Sequence, residues 1–127
     1  MERKLLVAVD RSKDSENAVR YAAGIHSTLK NMTFTLYHAQ SAISQYILDE
    51  ARSSLKAKAE LDKLLKKNDD TAMRLLDELK QKMTALGVAE EAVQTSTRPR
   101  SLGVAKDILD FAEKMRFDAI VLGRRGV

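Results

Sequence analysis

The feature that most constrains the fold is the segment at residues 4–9 (KLLVAV), an apolar run after its first lysine, which stops at Asp10. A short run that is apolar at every position is typical of a strand buried on both faces, as in a parallel sheet. Ser12, followed by acidic residues at positions 14 and 16, predicts the start of a helix with Ser12 as its N-cap. The chain therefore opens as the strand and crossover helix of an α/β domain. The helix would bury Ala18, Ala22, Ile25 and Leu29.

Three further segments have strand character. Residues 33–39 are rich in β-branched and aromatic residues, 92–97 form a weaker candidate, and 117–122, which are apolar apart from Asp118, form the fourth strand. Between the last two lies a helical pattern that follows the only proline, Pro99. Its predicted buried stripe is Val104, Ile108, Leu109, Ala112 and Met115.

The segment from 40 to 70 is harder to interpret. About 30 residues between strand and helix signals are too many for a structureless loop, and a weak apolar face over 43–65 favours helix. Asn68-Asp69-Asp70 is expected to end that helix and cap a second one, which would stop at Gly87. One long kinked helix is the alternative. The charged stretch 52–67 is most simply a solvated helical face, or else a flap or a partner-binding helix.

The order β-α-β-(α)α-β-α-β predicts a single domain over 1–127, a layered α/β fold with a parallel sheet and right-handed crossovers. A length of 127 residues is sufficient for one hydrophobic core that needs no disulfide or structural metal.

Composition excludes several functions. The chain has no cysteine, so disulfides, cysteine-ligated metals and thiol catalysis are ruled out. No apolar run is long enough for a membrane helix. The net charge of +4 comes from charges mixed along the chain, and only 5% of residues are aromatic, so we expect no nucleic-acid partner. Without an N-terminal targeting signal, a cytoplasmic location is expected.

Histidine and methionine have simple structural interpretations. The two histidines, His26 and His38, have no convincing carboxylate partner, so we predict neither a metal site nor a catalytic residue. His38 is expected to be a packed, hydrogen-bonded strand residue. The methionines at 32, 73, 83 and 115 are expected to fill the core.

Two features fall at carboxyl ends of predicted strands, where open parallel sheets bind ligands. Asp10 ends the first strand and can accept hydrogen bonds from a nucleoside, or merely start a turn and help to cap the helix. Gly123-Arg124-Arg125-Gly126 ends the fourth strand. Its glycines permit close backbone approach to a phosphate and its arginines can pair with one, although a plain turn has the same pattern. Dinucleotide and P-loop motifs are absent.

These residues together resemble the universal stress protein family. The resemblance rests on 5–12 with Ser15, on 36–39, on 103–112, and most specifically on 118–126. It covers nearly the whole chain except 41–70, a helical insert that varies in the family. It implies an adenine-nucleotide α-hydrolase-like three-layer α/β/α sandwich with strand order 3-2-1-4-5.

Many members of the family bind ATP through a Gly-x-x-Gly, nine residues, then Gly-Ser/Thr motif. By this resemblance Asp10 would contact the nucleoside, and Ala39 would face the adenine with its backbone groups. Leu122 would line the base pocket. The implied ligand is ATP or another adenine nucleotide, with Mg²⁺ as a candidate companion.

The rest of the implied site surrounds the sugar and the phosphates. Gly123 and Gly126 would wrap them, with Arg124 and Arg125 at the variable positions between. Ser12 completes the predicted nucleotide-binding set.

The chain departs from the family pattern because Val127 follows directly on Gly126. The second half of the motif, the fifth strand and the last helix are missing, so we expect a truncated chain. The resemblance implies a nucleotide-binding homodimer that acts in stress-response signalling or regulation and is not an enzyme. The alternative is a member that binds no nucleotide and acts as a dimerisation or protein-interaction module.

Overall fold

The structure, a computed structural model, describes residues 2–10, 12–28, 31–99 and 103–123. These residues form four strands and four α-helices, with two successive helices between the second and third strands. The strands are β1 (Arg3–Ala8), β2 (Met32–Gln40), β3 (Val93–Pro99) and β4 (Ala119–Leu122). The helices are α1 (Lys13–Thr28), α2 (Gln45–Ser53), α3 (Leu55–Ala85) and α4 (Val104–Lys114), with a 3₁₀ turn at Glu90–Ala92.

The strands form one parallel sheet in the order β3-β2-β1-β4. Helices α1 and α3 cover one face of the sheet, and α4 covers the other. The predicted α/β fold, its three layers and the 3-2-1-4 order of the first four strands are therefore confirmed.

Strand β1 shows why every position of its run is apolar. Leu5 and Val7 pack under α1 and α3, whereas Leu6 packs under α4, because successive side chains of a strand point to opposite faces. All three are almost fully buried. A central strand covered on both faces needs an apolar side chain on each of them.

The predicted break at Asn68–Asp70 is wrong. Helix α3 runs through these residues without interruption, and the break between the two helices lies at Ser54, whose hydroxyl accepts a hydrogen bond from the Ala57 N–H at 3.2 Å. Asp69 helps to stabilise the helix at this point through a tertiary contact. Its Oδ1 accepts a 2.6 Å hydrogen bond from Nε2 of Gln40, which is 5% exposed.

The predicted stop at Gly87 is confirmed. Gly87 has φ +103°, and its N–H donates to the Thr84 carbonyl while the Val88 N–H donates to the Met83 carbonyl. This is the Schellman arrangement, in which a residue of positive φ ends the helix and the two backbone bonds satisfy its last carbonyls. Val88 and Met83 are both buried, which adds the apolar contact that usually accompanies it.

The predicted stripe of α4 is only partly right. Ile108 and Ala112 are buried, but Val104, Leu109 and Met115 are exposed. The stripe is instead completed by Phe111, whose ring stacks on Tyr37 with centroids 4.7 Å apart and lies 5.7 Å from Phe117, and by the buried acid Asp107. Burial raises the pKa of the Tyr37 hydroxyl, and the Asp107 carboxylate raises it further.

The methionine prediction divides in the same way. Met32 and Met83 are buried in the core, whereas Met73 and Met115 are 45% and 42% exposed. Met73 lies on the outward face of α3, between the buried positions Ala72 and Leu76.

Candidate functional site

The carboxyl ends of three strands meet at one rim of the sheet. Ala8 pairs with Tyr37 on β2 and with Leu122 on β4, so the residues that follow these three positions leave the sheet side by side. Asp10 and Gly123 therefore lie at the same rim, as predicted. Arg124, Arg125 and Gly126 lie outside the described residues.

Asp10 is held in a small hydrogen-bonded turn. Its Oδ1 accepts from the Ser12 N–H at 2.8 Å and from the Ser15 hydroxyl at 3.0 Å, and its own N–H donates to Ser15 Oγ at 2.6 Å. Ser15 is 2% exposed, so the turn is anchored to the core side of α1. The turn interpretation of Asp10 is thus correct, and the carboxylate is presented at the rim in a fixed orientation.

Ser12 does not have the role that its position predicts. Its hydroxyl makes no capping hydrogen bond: Ser12 Oγ is buried and has no hydrogen-bond partner among the described residues. The Asp10 carboxylate makes the side-chain hydrogen bonds of the turn before α1 instead, and the Ser12 hydroxyl is left buried without a partner just before the helix. An unpaired buried hydroxyl is costly, so a polar ligand atom that bonded it would be favoured.

Gly123 is the position where the end of β4 passes closest to α1. A Cβ atom placed on Gly123 would overlap the backbone carbonyl group of Asp14. Only glycine allows this approach, because backbone atoms of a helix cannot move aside as a flexible side chain can. The first turn of α1 and the chain leaving β4 are therefore in direct contact beside Asp10.

The end of β2 contributes polar groups to the rim. His38 Nδ1 lies 2.9 Å from the Val9 carbonyl oxygen, which confirms that His38 is a hydrogen-bonded strand residue. The next polar residue, Gln40, points toward α3 and also donates to Thr97 Oγ1 at 3.2 Å, while the Thr97 hydroxyl donates to the His38 carbonyl. Gln40, Thr97 and Asp69 were missed by sequence reasoning. The available signal was phase, since Met32, Phe34 and Leu36 place every even position of β2 under α1 and α3.

Two other predicted site residues lie on the opposite side of the sheet from α1 and α3. Ala39 packs beside the cluster under α4, and Leu122 is in phase with Ile120, which packs there too. Leu122 is 62% exposed. The structure thus brings Asp10, Ala39, Leu122 and Gly123 to one rim, but divides their side chains between its two sides.

A cleft of about 330 Å³ opens from the rim between α1 and α3. Asp10, Ser12 and Glu16 line one wall, and residues from 71 to 82 of α3 line the other. A volume of this size is at the lower end for small-molecule sites. The cleft gives the rim a concave wall next to the Asp10 carboxylate.

An ion pair spans this cleft. Lys82 Nζ of α3 bonds Glu16 Oε1 of α1, with both side chains partly exposed to solvent. The hydrogen bond from Lys82, together with its charge, lowers the pKa of the Glu16 carboxyl below its ordinary value. The pair links the two helices across the cleft, at the solvent side of the core that they share.

Metal and membrane features are absent from the described part of the chain. No group of three or more His, Cys, Asp or Glu side chains there is arranged to hold a metal ion. No helix within the described ranges has the length and apolarity needed to cross a bilayer.

Comparison with known proteins identifies the relatives of this chain. The model of the universal stress protein family matches residues 1–127. The chain belongs to the universal stress protein family. A search of curated proteins found no significant match.

Several solved structures share the fold. A universal stress protein family member from Burkholderia pseudomallei superposes with a TM-score of 0.66 at 18% identity, covering 95% of this chain and 80% of that one. Protein Rv1636 from Mycobacterium tuberculosis H37Rv gives 0.61 at 19% identity, covering 98% and 73%. A universal stress protein from Archaeoglobus fulgidus, solved in complex with dAMP, gives 0.59 at 20% identity, covering 94% and 79%.

Proposed function

We propose that this universal stress protein domain binds an adenine nucleotide at the carboxyl rim of its sheet and acts in stress-response signalling or regulation. The observation that carries the proposal is the convergence of Asp10 and Gly123. A fixed carboxylate and a stretch of backbone that tolerates no side chain lie beside the first turn of the same helix.

The chemistry of a nucleotide is compatible with this arrangement. The carboxylate can accept hydrogen bonds from ribose hydroxyls or a base amino group, and Ser12 supplies an unused hydroxyl. A glycine-bounded loop after a strand, next to a helix N-terminus, is a favourable environment for phosphate. The relative from Archaeoglobus fulgidus that was solved in complex with dAMP gives independent support for an adenine nucleotide as the ligand.

Several finer features belong to the same proposal. Ala39 and Leu122 would contact the base, and Arg124, Arg125 and Gly126 would surround the phosphates. ATP with Mg²⁺ and AMP are the two forms to compare. We further propose one domain over 1–127, a binding rather than a catalytic role, a cytoplasmic location and a homodimer, of which light scattering in solution tests the last.

Calorimetry tests the binding directly. AMP and ATP, with and without Mg²⁺, are titrated into the wild-type chain and into a chain extended past Val127 with the remainder of the motif. We expect micromolar binding that Asp10→Asn weakens about tenfold, the effect of losing one hydrogen bond to a charged group.

The matched control is Asp118→Asn. Asp118 is also an aspartate bonded to backbone, since its carboxylate accepts from the Lys4 N–H at 2.8 Å, but it lies at the opposite end of the sheet. Its loss should leave nucleotide affinity unchanged. Millimolar or no affinity in the extended chain would refute the proposal, and equal effects of the two variants would show that Asp10 has only a structural role.

A second function, a protein-interaction module that binds no nucleotide, is favoured by a different observation. Helix α2 has no buried residue, and the buried residues of α3 begin only at Ala72. Gly126→Asp distinguishes the two functions: it should abolish nucleotide binding and leave partner binding intact.

A further inference from the structure

The cleft between α1 and α3 shares Asp10 and Ser12 with the proposed nucleotide site, but its α3 wall carries groups that nucleotide binding does not use. Its apolar side is formed by Leu75, which is half-buried, and Leu79, which is almost fully buried. Around this apolar side stand charged groups of both signs. Two of these are Arg74 and Glu78, which are both exposed and lie one helical turn apart on the same face of α3.

Arg74 and Glu78 are not committed to other groups. Within the described residues neither takes part in an ion pair or a side-chain hydrogen bond. They are spaced i, i+4, so their Cβ atoms are about 6 Å apart, but a basic residue that precedes an acidic one is the weaker orientation of such a pair. Both charges are therefore available to a ligand.

The other charges of the cleft are already engaged. Lys82 and Glu16 neutralise each other, and Asp10 holds the turn before α1 with its Oδ1. The cleft consequently offers one cation, one anion and an apolar surface between helices, with the unpaired hydroxyl of Ser12 at its edge.

We propose that this cleft binds a free α-amino acid with an aliphatic side chain. An amino-acid zwitterion carries its two charges on adjacent groups, so its carboxylate can take Arg74 in a bidentate pair while its ammonium takes Glu78. The aliphatic side chain would cover Leu75 and Leu79. A volume of about 330 Å³ is large enough for such a ligand.

The charge balance favours this class over a simple anion or cation. Glu78 and Asp10 would repel a phosphate or carboxylate that lacked an ammonium, and Arg74 would repel a simple amine. Only a ligand with both charges can pair with both Arg74 and Glu78. The proposal goes beyond nucleotide binding and does not depend on it.

The test uses three probes that differ by one charge, titrated by calorimetry into the full chain without nucleotide. L-leucine has both charges, leucinamide lacks the carboxylate, and N-acetyl-leucine lacks the ammonium. We expect leucine to bind at least about tenfold more tightly than either derivative, the usual effect of one charge-assisted hydrogen bond.

Variants assign the charges to residues. Arg74→Gln should weaken leucine about tenfold and remove its advantage over leucinamide, and Glu78→Gln should remove its advantage over N-acetyl-leucine. Asp77→Asn and Lys80→Gln are the matched controls, since these charged neighbours on α3 do not line the cleft. Circular dichroism of each variant confirms that it is folded.

A second measurement locates the ligand. Leucine should shift the methyl resonances of Leu75 and Leu79 and leave those of Leu109, on the far side of the sheet, unchanged. The proposal is overturned if leucine gives no heat at millimolar concentration. It is also overturned if the three probes bind equally, or if both cleft variants bind leucine as well as the wild type does.

Discussion

The two halves of α3 have opposite relations to the rest of the molecule. In the C-terminal half, Ala72, Leu76, Leu79 and Met83 are all buried against the sheet. In the N-terminal half and in α2, no residue is buried, and Leu55 at the start of α3 is 89% exposed. One continuous helix thus belongs to the core at one end and forms, with α2, a solvated two-helix arm at the other.

The difference shows what keeps each part in place. The C-terminal half is held by apolar burial, which is worth about 25 cal/mol per Å². The arm, residues 45–71, is held by local devices instead: serine caps at Ser44 and Ser54, contacts between its two helices, and the Gln40–Asp69 hydrogen bond to the sheet. Because the arm has no buried residue, helix propensity and caps must contribute more of its stability than they do in the C-terminal half.

Truncating a leucine in each half gives the largest expected contrast. Leu76→Ala should lower the free energy of unfolding by about 3 kcal/mol, because it empties a fully buried site. Leu65→Ala, in the arm, should cost less than about 1 kcal/mol, because that side chain already contacts solvent. Chemical denaturation measures both. Similar losses would mean that the arm has a core of its own.

The link between the arm and the sheet should give the next largest effect. Gln40→Ala removes two hydrogen bonds, to the Asp69 carboxylate and to the half-buried Thr97 hydroxyl, so we expect a loss of about 2 kcal/mol. Gln45→Ala is the control, since it removes an exposed bond to Asp49 and should cost under about 0.5 kcal/mol. Hydrogen exchange should also rise over 45–71 in Gln40→Ala; unchanged protection would show that the arm does not need this link.

A pair of glycine variants sharpens the description of the buried half at its end. Gly87→Ala should destabilise the protein by about 1 kcal/mol, because alanine resists the positive φ that ends α3. Gly24→Ala lies inside α1 with open space around its missing Cβ, and should stabilise the protein by about 0.5 kcal/mol. Thermal unfolding checks the signs, and equal signs would contradict the assignment of Gly87 as the helix stop.

The ion pair between α1 and α3 should give the smallest effect, and one that depends on pH. Lys82 lowers the pKa of Glu16 in the folded state, so the pair stabilises the protein above the ordinary carboxyl pKa and loses this effect as the pH falls through the lowered value. Glu16→Gln should flatten the stability profile below about pH 5, where the unfolded carboxyl titrates, and Glu113→Gln should not. The difference should shrink in high salt, because the pair is exposed.

The fold could be predicted from the sequence wherever buried positions recur in a regular pattern. The all-apolar β1 run, the Gly87 stop and the β-α order were sufficient for the parallel sheet and its layers. The arm could not be predicted in detail, because Asn68–Asp70 has the composition of a helix break and only a distant partner, Gln40, makes it a helix interior. The α4 stripe failed for a related reason: Phe111 was selected by stacking on Tyr37, which no local periodicity encodes.

The position of the candidate site could be predicted from the sequence, but its hydrogen bonds and contacts could not. Parallel strands place Asp10 and Gly123 at one rim, so their proximity followed from topology. That Asp10, and not Ser12, would make the side-chain hydrogen bonds of the turn did not follow from the sequence, because either residue type suits the turn before a helix. The contact between Gly123 and Asp14 depends on the tertiary position of α1, and a glycine in the sequence does not reveal which neighbour requires it.

The junction at Ser54 has a practical consequence for anyone who handles this protein. Because a single non-helical residue separates α2 from α3, and Leu55 beside it is almost wholly in solvent, this bend is a natural attachment point. A fluorophore or an affinity tag attached to the side chain at position 55 would extend into solvent and leave the Ser54 cap in place.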